Sequence, residues 1–288
     1  MQRALSTYCL ASQRLNTVWL DRIGDAGIPL VEIYCSRRHL DYHDHAQVND
    51  IAAWFRNAEL KVHSLHSPLY SDESGGRGGP QTRLNITETV KAKRIAIVDE
   101  VKRALDLIEA FPFRYLIQHI GIEGEEYDER KLDAAFTSLE EIRIFARQRG
   151  VEVLLENLAS GLASAERLLH FNSITHLNLN FCYDSGHANQ FEGAVNAASL
   201  MKGRIRSTHL HDNDGKTDQH LYPLSGEGTV PWRRVMTELR AQAQSSEPFP
   251  MLLEMKELDP GPNPFDRVRK TFDALEQLPS LHPEEMQA

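Results

Sequence analysis

Short runs of apolar and β-branched residues recur along the whole chain. Longer segments lie between them, with apolar positions at three- and four-residue spacing. The runs are residues 4–11 (ALSTYCLA), 29–35 (PLVEIYC), 61–69 (KVHSLHSPL), 114–121 (RYLIQHIG), 151–157 (VEVLLEN), 175–184 (THLNLNFCYD), 204–212 (RIRSTHLHD) and 250–256 (PMLLEMK). The fifth is nearly continuous in apolar residues, as expected of a strand covered on both faces. Helical spacing is clearest in 131–149, where Leu132, Phe136, Leu139, Ile142 and Phe145 share a face and Gly150 follows the last turn. Further helices are expected between the first run and the turn Asp25-Ala26-Gly27, around Trp54 and Phe55, and over 87–110, 163–170, 191–201, 232–243 and 264–277. Eight strands, each followed by a helix within one domain length, predict a (β/α)8 barrel, an α/β TIM barrel occupying 1–288 as a single domain. A doubly wound open sheet is the rival if the first or second run is helical. The stretch 71–84 has four glycines within five positions and reads as a loop, a candidate lid or rim; the HPEEMQA tail reads as a frayed end.

Composition narrows the class. The chain has 288 residues, 41% of them apolar, and a formal charge of −9. At this length about three quarters of the extended surface is buried on folding, so a core forms without disulfides. Cys9, Cys35 and Cys182 are odd in number and far apart, which suits a reducing, cytoplasmic setting. The N-terminal residues show no sustained apolar core, so a signal peptide is not expected, and no run reaches the length of a membrane span. The acidic balance argues against non-specific nucleic-acid binding.

The 13 histidines are not scattered evenly. Predicted strands end in His66, His119, Glu156, Asp184-x-x-His187, His209-x-His211 and Glu254, and the loop after the seventh run adds Asp218-x-His220. In a barrel these ends converge on one mouth. They are the ligand types of zinc, manganese and similar divalent ions. A lone histidine at a strand end is ordinarily a polar rim residue. A carboxylate inside LLEN or LLEMK is different, because burying one is costly without a charged partner. His209 and His211 lie two apart, on one side of an ideal strand, and suit a ligand with a supporting partner. Lys256, two beyond Glu254, is a candidate for substrate oxygens or for a solvated salt bridge. Gly226 and Gly228 suit close backbone approach, and Pro231-Trp232 suits a helix start. Neither their Gly-x-Gly nor the glycine-rich loop makes a phosphate motif.

Taken in order, HSPLY, LLENLA, CYDSGH, THLHDNDG with DQH, SGEGTVPW and LLEMK resemble the xylose isomerase-like TIM-barrel superfamily over nearly the whole barrel. That group includes sugar epimerases, isomerases, dehydratases and the metal-dependent apurinic endonucleases of family 2. The isomerase branch implies one divalent ion (Mn, Zn, Mg or Co) on Glu156, Asp184, His211 and Glu254. His187 would then contact a carbohydrate or polyol-derived substrate. Glu156 and Glu254 would exchange protons at carbon through an enediolate. Asp218 and His220 stand where ketose 3-epimerases carry a substrate-binding arginine. That departure matches the endonuclease branch, whose larger metal set would span His66, His119, Glu156, Asp184, His187, His211, Asp218, His220 and Glu254. Against that branch, Gly215 replaces its usual serine, and no basic phosphate-tracking patch is evident. The resulting expectation is a metal-dependent sugar isomerase or epimerase. A phosphodiesterase and a dehydratase or lyase are the alternatives, and a homodimer is the family-weighted assembly. A non-enzymatic interaction protein built on the same scaffold would bind no metal.

Overall fold

A computed structural model describes residues 1–72, 81–245 and 247–286. Ten strands occur among them: β1 (Arg3–Ser6), β2 (Leu30–Tyr34), β3 (Lys61–His66), β4 (Tyr70–Asp72), β5 (Gln81–Arg83), β6 (Tyr115–His119), β7 (Glu152–Glu156), β8 (Asn180–Asp184), β9 (Ile205–His209) and β10 (Met251–Leu253). The principal helices are α1 (Thr17–Asp25), α2 (His45–Phe55), α3 (Lys91–Leu105), α4 (Glu129–Gln148) and α5 (Ala165–Ile174). They are followed by α6 (Ser185–Gln190), α7 (Ala194–Leu200), α8 (Trp232–Ser245), α9 (Asp266–Gln277) and α10 (Pro283–Met286).

Eight strands form one parallel sheet in the order β10-β1-β2-β3-β6-β7-β8-β9. A parallel bridge between Leu210 and Leu253 joins its two ends. The result is a nearly closed (β/α)8 TIM barrel, which excludes the doubly wound alternative. β4 and β5 pair as a small antiparallel ribbon after β3. The glycine-rich part of the candidate lid, 73–80, lies outside the described residues.

Several boundaries differ from the sequence pattern for local reasons. The first run leaves the sheet at Ser6, whose hydroxyl accepts from the Tyr8 N–H and starts a 3-10 turn over Thr7–Leu10. Residues 175–179 precede β8 rather than join it, because Asn172 holds Leu179 through both its main-chain groups and Asn178 takes a φ of 48°. β10 is only three residues long. The tail starts with a short helix, where Pro283 follows His282 and Glu285 reaches back to the His282 N–H.

Strand alternation places the chemistry. Along β6, β7 and β8, Tyr115, Ile117, Leu154 and Cys182 form a small cluster inside the barrel. Leu116, Val153, Leu155, Phe181 and Tyr183 pack outward in the larger core against the helices. Two residues beyond Ile117, Leu154 and Cys182 stand His119, Glu156 and Asp184, so strand periodicity turns each of them inward at the C-terminal mouth.

Candidate metal centre

Glu156, Asp184, His209 and His211 are each at most 1% exposed, and Glu254 is 5% exposed. Their donors gather into overlapping groups whose ligand atoms lie within 4.8 Å of one another: Glu156, Asp184, His209 and Glu254; His66, His119 and Glu156; and His187, His211, Asp218 and His220. Glu156, Cys182 and His209 form a further, smaller group. The histidine of the four-donor group is His209, not the His211 expected from the resemblance. His211 belongs to the group with His187, Asp218 and His220, and its Nε2 lies 3.0 Å from Asp184 Oδ2. Its ring stacks on that of His220, with centroids 3.8 Å apart.

The rings are held so that one nitrogen of each faces the cluster. Nδ1 of His66 faces the Ser67 carbonyl at 2.9 Å, that of His187 the Asn157 carbonyl at 3.0 Å, and that of His220 the Glu254 carbonyl at 2.9 Å. A carbonyl can only accept, so Nδ1 carries the proton in each case and Nε2 is left for the site. Nε2 of His66 then points at Glu156, and that of His220 at Asp218. His119 Nε2 faces Glu156 Oε2 at 2.9 Å. This is the arrangement of metal-ligating histidines, in which the outer nitrogen is anchored on the backbone and the inner one faces the carboxylates.

The backbone around them is equally constrained. Asn157 accepts from the Asp184 N–H and donates to the Asp184 carbonyl, locking the ends of β7 and β8 together. Asp184 caps α6 by accepting from the His187 N–H at 2.6 Å, which sets the pair's relative position. A Cβ at Gly186 would sit 2.0 Å from the His211 ring, and one at Gly228 would sit 2.1 Å from Asp212. Asp212 in turn receives N–H groups from Asn213, Val230 and Trp232, fixing the loop that carries Asp218 and His220.

Burial alone would push the Glu156 carboxyl up, but His209 and His119 overcome it and hold it well below the usual carboxylate range. At Glu254 burial prevails, reinforced by Glu156 and Glu32, and its carboxyl is raised. Burial works against a charged His209, yet Cys182, Glu156, Glu254 and Glu32 raise it well above the ordinary imidazole value. Burial likewise disfavours charge on His220, and Asp218 reverses this to bring it to about 9. A cation and these protons compete for one set of atoms.

The donor set fits a divalent ion by a second observation. His209 Nδ1, His211 Nδ1 and Asp218 Oδ1 are buried without a hydrogen-bond partner. Buried polar atoms are seldom left so, except where an ion or water belongs. The histidine and carboxylate groups are thus consistent with a divalent-metal site, and they support metal-dependent enzymatic activity in general terms.

Above the donors lies a cavity of about 190 Å³. His66, His119, Glu156, His187, Asp218, His220 and Glu254 line it, together with Tyr8, Tyr34, Tyr70, Arg83 and Glu123. Lys256 is exposed and is not among the lining residues; β10 ends at Leu253, so strand alternation does not carry inward to it. Sequence reasoning passed over Glu32, which is fully buried beside His209. Its signal was the one used for Glu156 and Glu254, a carboxylate inside an apolar run. Tyr8, Tyr34 and Arg83 had no comparable signal.

A family model described as a xylose isomerase-like TIM barrel matches residues 20–278. The chain belongs to that family. An uncharacterized protein, y4fM, from Sinorhizobium fredii (strain NBRC 101917 / NGR234) is 25% identical over 200 residues, covering 64% of this chain and 64% of that protein. The chain thus spans under two thirds of that relative's length. A D-tagatose 3-epimerase-like protein superposes with a TM-score of 0.75 at 21% identity, over 100% of this chain and 98% of the other. The D-psicose 3-epimerase of Clostridium cellulolyticum H10, solved with D-tagatose, gives 0.73 at 13% identity, over 98% of this chain and 100% of the other. At these identities the likeness establishes the fold. Among the described residues no helix is long and apolar enough to cross a membrane.

Proposed function

We propose that this protein is a divalent-metal-dependent isomerase or epimerase acting on a sugar, a polyol-derived ketone or a related α-hydroxy carbonyl compound. The observation that carries this reading is the convergence of two buried carboxylates, Glu156 from β7 and Glu254 from the end of β10, on one small cavity beside a shared histidine, His209. Glu156, Asp184, His209 and Glu254 would hold the ion, with His211 hydrogen-bonded to Asp184 beside them. When bound, the cation supplies positive charge to two adjacent substrate oxygens and acidifies the C–H between them. One glutamate takes that proton. The other returns one, to the opposite face for epimerisation or to the neighbouring carbon for isomerisation. His187, at the cavity wall, would bind a substrate hydroxyl. The cavity is smaller than the ~300–1,000 Å³ of drug-sized pockets, in keeping with a small polar ligand. The similarity in fold to 3-epimerases supports the same reading.

One observation favours a second reading. The donors His66 and His119 on one flank and His187, Asp218 and His220 on the other exceed what a single ion needs, as in multi-metal phosphodiester hydrolysis at an abasic site. A metal-replete panel of ketoses, aldoses, inositol-related ketones and abasic-site DNA separates the two. The proposal expects conversion of a carbonyl sugar or polyol ketone, abolished in Glu156→Gln. Rapid strand cleavage lost in that variant, with the sugars untouched, contradicts it, and net loss of water from a sugar would mark a dehydratase.

A further inference from the structure

His209 differs from the other anchored histidines in what holds it. His66, His187 and His220 each face a main-chain carbonyl through Nδ1. His209 instead turns Nε2 toward the Glu32 carboxylate, at 3.0 Å from Oε1 and 3.1 Å from Oε2. Its Nδ1 is thereby aimed at Glu156, Glu254 and Asp184, at 3.1, 3.4 and 3.9 Å, where it finds no hydrogen bond.

Glu32 is itself built in with care. It sits in register between Ser6 on β1 and Ser64 on β3. Both hydroxyls donate to it, Ser6 at 3.2 Å to Oε1 and Ser64 at 2.8 Å to Oε2. A fully buried carboxylate is costly, and these two hydroxyls together with His209 Nε2 satisfy its oxygens. The unpartnered atom of this pair, His209 Nδ1, lies on the far side of the ring, among the carboxylates.

We propose that Glu32 is a positioning residue of the metal centre. It fixes the His209 ring so that Nδ1 is offered to the cation, and it strengthens that nitrogen as a donor by accepting the proton on Nε2. The inference rests on the reading that the ion is held by Glu156, Asp184, His209 and Glu254. Because this anchor is a side chain, substitution can remove it, unlike the carbonyls that hold the other rings.

The test is Co²⁺ affinity by chelator competition, with the visible spectrum of bound Co²⁺ and a thermal melt for each protein. Glu32→Gln should lower affinity about 10–100-fold and shift the spectrum, as loss of an outer partner does. Glu32→Asp keeps the charge but falls one methylene short of Nε2, and should lose affinity similarly. Wild-type affinity in a folded Glu32→Gln overturns the inference. So does full affinity in Glu32→Asp alongside a loss in Glu32→Gln, since that pattern marks charge alone. Should either variant fail to melt cooperatively, Ser64→Ala replaces it. Ser64→Ala loosens Glu32 while leaving its charge and every ligand in place, so a several-fold loss is expected and none contradicts. A wild type that takes up no Co²⁺ overturns the metal reading itself, and this inference with it.

Discussion

His209 Nδ1 lies 3.1 Å from Glu156 Oε1 and 3.4 Å from Glu254 Oε2, yet it forms a hydrogen bond to neither. His211, two residues on, is instead engaged with Asp184 and stacked on His220. The two histidines therefore serve different places, and their variants should separate. His209→Ala should weaken Mn²⁺ binding in equilibrium dialysis by more than about 100-fold, since it removes one of four ligands. His211→Ala should cost the tightest site less than about tenfold. The reverse order would assign the place in the four-donor group to His211.

Metal removal should be visible in stability. A ligand that binds only the folded state at about 100 times its Kd adds ~2.7 kcal/mol. For a chain of 288 residues that corresponds to roughly 4–5 °C in Tm. Protein stripped with a chelator should melt lower by about that much and recover on adding Mn²⁺ or Zn²⁺, whereas Asp184→Asn should show little recovery. An unchanged Tm with and without saturating metal would contradict a built cation site.

Gly228 approaches Asp212 so closely that any side chain collides with the carboxylate, which is buried and bonded to three N–H groups. Gly228→Ala should therefore destabilise the fold by about 1–3 kcal/mol, the cost of forcing a packed polar group off its donors. It should also lower affinity at the His187, Asp218 and His220 group, because the same loop carries two of those residues. Denaturant melts check the first expectation and metal titration the second. A neutral Gly228→Ala would mean that the loop relaxes freely.

Glu192 offers a pH-dependent test away from the donors. One of its oxygens accepts from the Ala165 N–H at the start of α5, while the other is buried without a partner. Burial raises its carboxyl to about 7 from an ordinary 4.5, with Glu166 adding to the effect. Below about 4.5 the group is neutral both folded and unfolded and costs nothing. As pH rises through 7 the folded protein must carry a buried charge, so stability is lost across that window. Glu192→Gln keeps the accepting oxygen and removes the charge. It should be more stable than wild type at pH 8, by at most about 3 kcal/mol, and indistinguishable near pH 4.5. An equal gain at both pH values would contradict this origin.

The strand-end pattern was legible in sequence because a barrel turns every second residue of each strand inward. His119, Glu156 and Asp184 follow from Ile117, Leu154 and Cys182 by that rule alone. The rule weakens where strands stop. It could not rank His209 against His211, because both keep the same parity and only the packing of His211 on Gly186 and His220 parts them. It also carried Lys256 inward with Glu254, although the chain leaves the sheet at Leu253. Glu32 escapes a strand-end pattern because it lies mid-strand and touches His209 rather than the cavity. Tyr8, Tyr34 and Arg83 reach the cavity from separate segments, and no spacing in the sequence brings these together.

In the proposed reaction Glu156 and Glu254 move a proton at a carbon next to a carbonyl, and exchange with solvent reads that step. Incubating the metal-replete protein in deuterated water with each member of the sugar and polyol-ketone panel should place deuterium at one carbon of a converted substrate. Incorporation should depend on the metal and be lost in Glu156→Gln and Glu254→Gln. Conversion without deuterium incorporation, or incorporation that survives both substitutions, would contradict that proton transfer.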